Sequence, residues 1–389
     1  MPAIATKREH SLGIWALTLG YFLCYIPYSG LAKAVTSGLL SGGRAVPVAE
    51  LLPVTVIATA LAVPLFITGM GWWRYGRKRR IVGWNILFPR QQTLISGLAF
   101  ATIIITTTLA YSFSGVSIVL ALVLMRAGTL IMSPIIDRIF LRRVRWFSWA
   151  GLVLSLMALL ISFSSIREYH LGLAAILNLA AYLTGYASRL PCMTQIAKTG
   201  DKACALGYFV EEQAVAMPAI VLAPAIFALV GRGEIAEQLR AGFSHLPTAP
   251  YLIPGMVIGL CYAGLGTFLS FIYLDRRENT FCMPLFACSS LLSGIVASYI
   301  LVWWLHGPEP SGVQLTAAFL IIAALLIMSP LHHLPLYIKQ LRQAIAEQRL
   351  VILEVARNNQ QAGSTSFITV NFQALRQALQ KPPSAGRTS

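Results

Sequence analysis

Arg126 stands in the middle of an apolar run from about 115 to 136. An ionisable group within hydrocarbon costs about 2.5 to 3.5 kcal/mol on insertion scales, so it calls for a reason. A fixed guanidinium offers a fork for a carboxylate or phosphate. The other reading is a structural salt bridge, or bonds to carbonyls of a neighbouring helix. Three carboxylates form a second group: Glu50, Glu211 and Glu212. A carboxylate that hydrocarbon keeps protonated suits a proton carrier, whereas one at a helix start simply complements the dipole. Glu50 fits the helix-end role; Glu211 and Glu212, a turn or more inside their run, fit either. Arg189 is placed to neutralise one of that pair, and Lys33, near the opposite surface, to do so for Glu50 or to snorkel.

Tyrosines supply the third pattern. Tyr21, Tyr25 and Tyr28, and separately Tyr182 and Tyr186, recur at helical spacing, so each set lines one helix face. With Asn178 and Thr106 to Thr108 they could wall a polar cavity, or act as packing glue between helices. The candidate substrate-binding set is therefore Arg126, Tyr21, Tyr25, Tyr182, Tyr186 and Asn178, with Glu211 and Glu212 as coupling groups. The six cysteines show no CxxC spacing and read as small buried residues. Without a P-loop, HExxH or GxSxG motif, the expectation is no enzyme, no cofactor and no metal.

These residues need a membrane to position them. The 389 residues are 57% hydrophobic and 11% charged, with mean hydropathy +0.69; soluble chains carry about 25% charged residues. Ten runs are long enough to cross a bilayer: 12–36, 50–72, 92–112, 115–136, 146–165, 169–189, 206–230, 251–274, 281–305 and 312–331. A hinge around Ser112 to Ser114 divides the third from the fourth. Most Lys and Arg then fall on the side of both termini, against Lys33, Arg44, Arg167, Arg232 and Arg240 opposite, which predicts N-in/C-in. The net charge of +16 follows from that bias, so no nucleic-acid partner is implied. Trp72, Trp73, Trp146, Trp149, Trp303 and Trp304 mark span ends. The Arg77-Lys-Arg-Arg80 run reads as an anchor for anionic lipid. Prolines 27, 53, 64, 134, 218, 224 and 284 fall within or near spans, where they can kink helices.

The chain also repeats itself. Tyr21 and Tyr25 match Tyr182 and Tyr186, Glu50 matches Glu211, and Phe66 matches Phe227, all at one offset; Ala158 to Ile161 matches Ala324 to Ile327 at nearly the same one. Five spans per half is odd, so the second half must be inserted upside down, an arrangement that puts the substrate site near mid-membrane between the halves. The expected fold class is all-α integral membrane, ten transmembrane helices as two inverted five-helix repeats (5+5). The expected domains are 1–165, 166–332 and a cytoplasmic tail 333–389, whose Leu336–Val355 reads as an amphipathic helix before a disordered end.

The stretch Ala110-Tyr-Ser-Phe-Ser-Gly-Val-Ser-Ile118, then Ser133-Pro134, then Phe140 to Gly151, resembles the drug/metabolite transporter (DMT) superfamily of EamA-like permeases, over about residues 12–331. Arg142 stands where that family usually has a glutamate, and Glu50 near where it often has an arginine. The resemblance implies a secondary transporter in the inner (plasma) membrane, moving a small polar solute by alternating access; these departures leave that class intact but not a substrate by kinship, and it is Arg126 that points to an anionic one. Two alternatives stay open: a flippase for a lipid or lipid-linked phosphate or sugar, and a non-transport membrane anchor or scaffold. Membrane lipids are expected partners, and a homodimer is left open.

Overall fold

A computed structural model describes residues 3–40, 45–81, 84–110, 118–164, 172–196, 198, 201–305 and 312–329. The expected hinge at Ser112 to Ser114, the boundary at 165–166 and the tail from 333 lie outside them. In chain order the elements are α1 (Ala3–Thr36), α2 (Val48–Gly69), β1 (Lys78–Ile81), β2 (Trp84–Leu87), α3 (Gln91–Leu109), α4 (Ile118–Ile139) and α5 (Trp146–Ser164). They continue as α6 (Leu173–Ile196), α7 (Lys202–Val230), α8 (Glu234–Ser244), α9 (Leu252–Leu274), α10 (Asn279–Leu305) and α11 (Gly312–Met328).

The fold is an all-α membrane bundle. Among the described residues, seven helices are long and apolar enough to cross a bilayer: α1, α2, α3, α5, α7, α9 and α10. Helices α4 and α6 carry ionisable side chains along their length, and α11 has 17 residues. Exposed Leu, Ile and Phe side chains ring the bundle, as at Leu61, Leu65, Leu160, Ile253 and Phe319. In a bilayer these meet acyl chains. Trp146, Trp303 and Trp304 are exposed at helix ends, where an indole suits the interface. Trp72 differs from the interfacial expectation: it packs edge-on against Phe66, Phe209 and Phe271.

Helix α1 packs on α9 and α10, and α3 on α6 and α7. Helix α2 lies against α7, α8 and α9; α4 against α5, α6 and α10; and α5 against α11. Small residues let the backbones approach. A Cβ at Gly97 on α3 would sit 2.8 Å from the Glu212 carbonyl of α7, and one at Gly259 on α9 would sit 2.5 Å from the Thr55 carbonyl of α2. The Thr59 hydroxyl donates to the Gly259 carbonyl across that second contact, at 2.9 Å. Without a hydrophobic drive between helices in lipid, such close packing and polar stitching supply association.

Two connections are elaborated. Between α2 and α3 the basic run forms an antiparallel hairpin, Lys78 opposite Leu87 and Arg80 opposite Asn85. The sequence pattern predicted a loop there. Between α7 and α9, the eleven-residue α8 buries Ala236, Leu239 and Gly242 and exposes Glu234, Glu237 and Arg240.

At the bundle end carrying most of the basic residues, two carboxylates clasp neighbouring helix starts. Asp137, in the last turn of α4, accepts from the main-chain N–H groups of Asn279 and Thr280, at 2.9 and 2.7 Å, and from both their side chains. Those are orphan donors of α10, which a carboxylate satisfies. Glu278, just before α10, answers at α5: Arg145 Nε and Nη2 donate to it at 2.8 and 3.0 Å, and Ser148 Oγ at 2.6 Å. Burial alone would raise the Glu278 carboxyl, but the Arg145 and Ser148 hydrogen bonds outweigh it and hold it below its ordinary value.

Candidate substrate pocket

Helix periodicity brings the tyrosines together. Tyr21, Tyr25 and Tyr28 share a face of α1, and Tyr182 and Tyr186 a face of α6. Both faces turn inward onto one pocket, completed by Arg126 of α4, Tyr262, Leu265, Gly266 and Leu269 of α9, Phe286 of α10, and Phe100, Ile103 and Thr107 of α3. About 40 Å³ is open there to the centres of water molecules, room for about three waters at some 10 to 15 Å³ each. A metabolite must widen it to enter.

The rings support one another. Tyr21 lies 5.7 Å from Tyr25, Tyr25 5.6 Å from Tyr28, and Tyr28 5.2 Å from Tyr262 between centroids, while Tyr182 and Tyr186 stand 5.0 Å apart. These tilted and edge-on contacts are the preferred aromatic arrangements. Arg126 rests over Phe286, its Cζ 4.3 Å from the ring centre. No carboxylate among the described residues pairs with it. A cation–π contact is worth about 2 kcal/mol when desolvated, less than the several kcal/mol that burying an ion costs.

The other candidates separate from the pocket. Asn178 donates its amide N–H to the Thr106 carbonyl at 3.0 Å, joining α6 to α3. That is the glue reading of its polarity. Glu211 accepts from the main-chain N–H groups of Arg77 and Arg90, at 3.2 and 3.1 Å, and from the Thr93 hydroxyl at 2.8 Å. It thereby ties both ends of the β-hairpin to α7. Glu50 accepts from the Tyr251 hydroxyl at 3.1 Å, just before α9, and lies in the first turn of α2 as a helix-end carboxylate.

Glu212 meets Arg189 in a fully buried pair, Nε to Oε1 at 2.8 Å and Nη2 to Oε2 at 2.9 Å. Ser96 Oγ donates to the same carboxylate at 2.5 Å, and Tyr208 OH to Ser96 Oγ. Arg189 Nη2 also donates to Ser270 Oγ at 2.8 Å. The network therefore joins α3, α6, α7 and α9. Arg189 stacks on Phe100, Cζ 3.9 Å from the ring centre, and that ring lines the pocket. Its Nη1 has no hydrogen-bond partner.

Sequence reasoning missed Tyr262, Phe286 and Phe100. Tyr262 has no tyrosine three or four residues away on its own helix, Tyr273 being three turns on, and the two phenylalanines stand among many apolar residues; only the fold brings them to Arg126.

No family model matches the chain, and no curated protein matches it in sequence. A solved structure described only as "Crystal structure of protein" has TM-score 0.50 and 14% identity, covering 81% of this chain and 97% of that one. At that identity the likeness is one of fold alone, over about four fifths of this chain.

Proposed function

We propose that the chain is a secondary transporter of the drug/metabolite type, carrying a small anionic solute by alternating access between two inverted five-helix halves, α1–α5 and α6–α11 without α8. The observation that carries this reading is Arg126: a cation without a carboxylate partner among the described residues, set in a tyrosine-lined pocket where both halves meet. An anion arriving there supplies the missing counter-charge, and the phenols offer hydrogen bonds to its remaining lone pairs.

Packing supports the inverted repeat. Exchange α1 with α6, α2 with α7, α3 with α9, α4 with α10 and α5 with α11. The α1–α9 contact then becomes α6–α3, α2–α9 becomes α7–α3, and α1–α10 becomes α6–α4, while α2–α7, α4–α10 and α5–α11 map onto themselves. Gly97 and Gly259 occupy corresponding close approaches, and Glu50 and Glu211 each bind the segment leading into the corresponding helix, α9 or α3. Inverted repeats of this kind rock about a site near the membrane midplane.

Of the two coupling candidates, Glu212 is favoured. Glu211 is held by two main-chain donors and a hydroxyl, and none of those partners lines the pocket. Glu212 is bonded to a guanidinium that lies over a pocket ring, so this carboxylate and the pocket's contents meet at Phe100.

The test is uptake of labelled anions, cations and neutral metabolites into proteoliposomes across an imposed pH gradient. Charge-assisted hydrogen bonds are worth about 1.5 to 3 kcal/mol, so Arg126→Leu is expected to cut anion uptake about ten- to a hundredfold in folded protein, and Arg126→Lys less. Undiminished uptake by Arg126→Leu refutes the assignment.

A further inference from the structure

We infer that the pocket's ligand is an aromatic monoanion, a planar ring bearing one carboxylate, with the carboxylate on Arg126 and the ring among the tyrosines. The inference rests on the transporter reading of the pocket and narrows its substrate class.

Charge sets the first limit. Among the described residues, Arg126 is the single cation lining the pocket, and no Asp or Glu lines it. A monoanion leaves the loaded site neutral. A dianionic phosphate leaves one negative charge without a partner in low dielectric, where an uncompensated ion costs several kcal/mol. A cation meets the guanidinium's repulsion with nothing to offset it.

Geometry sets the second limit. Arg126 sits over the face of Phe286, its Cζ 4.3 Å from the ring centre, and the ring takes up none of its N–H groups in a conventional hydrogen bond, so they can give the paired bonds that a carboxylate takes. The head group is thus held in one plane beside a file of rings.

The wall sets the third. Tyr21, Tyr25, Tyr28 and Tyr262 already form a continuous series of ring contacts, which another ring extends at its preferred centroid separation of about 4.5 to 7 Å. The rest of the wall is mostly apolar, with Ile103, Leu265 and Leu269 beside Phe100 and the single hydroxyl of Thr107. An ammonium placed there gives up its water and meets no carboxylate in return, which disfavours an amino-acid zwitterion. A flat ring is also the thinnest apolar body for a space that must widen before anything larger than a few waters enters.

The experiment is titration calorimetry of the purified full-length chain in nanodiscs at neutral pH. Benzoate and phenylacetate are the ring monoanions. Octanoate is the aliphatic monoanion, phenyl phosphate the dianion, phenylalanine the zwitterion and benzylammonium the cation. Benzoate or phenylacetate is expected to bind at least about tenfold more tightly than every comparator, a difference of about 1.4 kcal/mol, and to lose binding in Arg126→Gln. If octanoate, phenyl phosphate or phenylalanine binds as well or better and still depends on Arg126, the ring-monoanion assignment falls and the anion carrier stands. If no anion binds, or binding ignores Arg126, both fall. The ranking is read on the unaltered protein, so it holds even if the variant fails to fold.

Discussion

Two arginines in this bundle solve the same problem differently. Arg189 is paired, bonded to Glu212 and Ser270, and wholly out of reach of solvent. Arg126 has a ring beneath it and an aromatic hollow beside it. Removing one member of a buried ion pair strands the other and costs about 3 to 5 kcal/mol, whereas replacing both by apolar groups is often neutral. Arg189→Met and Glu212→Leu are therefore each expected to lower the thermal unfolding midpoint sharply, and the double variant to lower it less than the two losses added. Additive losses in detergent-solubilised protein exclude the pair as a coupled unit. The residue scale was also where the sequence was most ambiguous. Arg126 and the spaced tyrosines were legible, because charge in hydrocarbon and a repeated aromatic face are local patterns. The division of labour between Glu211 and Glu212 was not, because adjacent positions on one helix point about 100° apart and only neighbouring helices decide what each meets.

Elements at the basic end are fastened by exchange: Asp137 of α4 holds the start of α10, and Glu278 before α10 holds the start of α5. Because the Glu278 carboxyl is held below its ordinary value in the fold, it stabilises the protein above the unfolded carboxylate range, near pH 4.3. That contribution is lost as pH falls through the lowered folded value. Wild type is accordingly expected to melt above Glu278→Gln at neutral pH, with the gap closing in acid; a gap that stays constant across that range shows that the clasp does not titrate. Helix positions were readable from the apolar runs because span length is fixed by bilayer thickness. The hairpin at Lys78–Leu87 was hidden, since its alternation is short and its basic residues match any surface loop. What holds it is remote: Glu211, on α7.

For the molecule as a whole, exchange of halves makes a paired expectation. Gly97→Leu and Gly259→Leu intrude on matching backbone contacts and are expected to depress folded yield to a similar degree, read by size-exclusion chromatography; tolerance at one site alone breaks the equivalence. Opposed insertion makes another. In a background cleared of the six native thiols, a cysteine at exposed Arg79 of the hairpin should react with an impermeant maleimide only after permeabilisation, and one at exposed Glu237 of α8 should react in intact cells. Reaction of both from one side rules out the threading. The internal offsets hint at the proposed pseudo-symmetry, and the pattern of helix contacts accords with it; no linear pattern carries that second sign. Phe100 then acquires a role out of proportion to its chemistry. It is a party wall: the pocket lies against its ring, and the Arg189 guanidinium lies 3.9 Å from that ring's centre with one nitrogen uncommitted. On the transporter reading, a guest that leans on this partition also presses on the ion pair beyond it, whose hydrogen bonds join four helices.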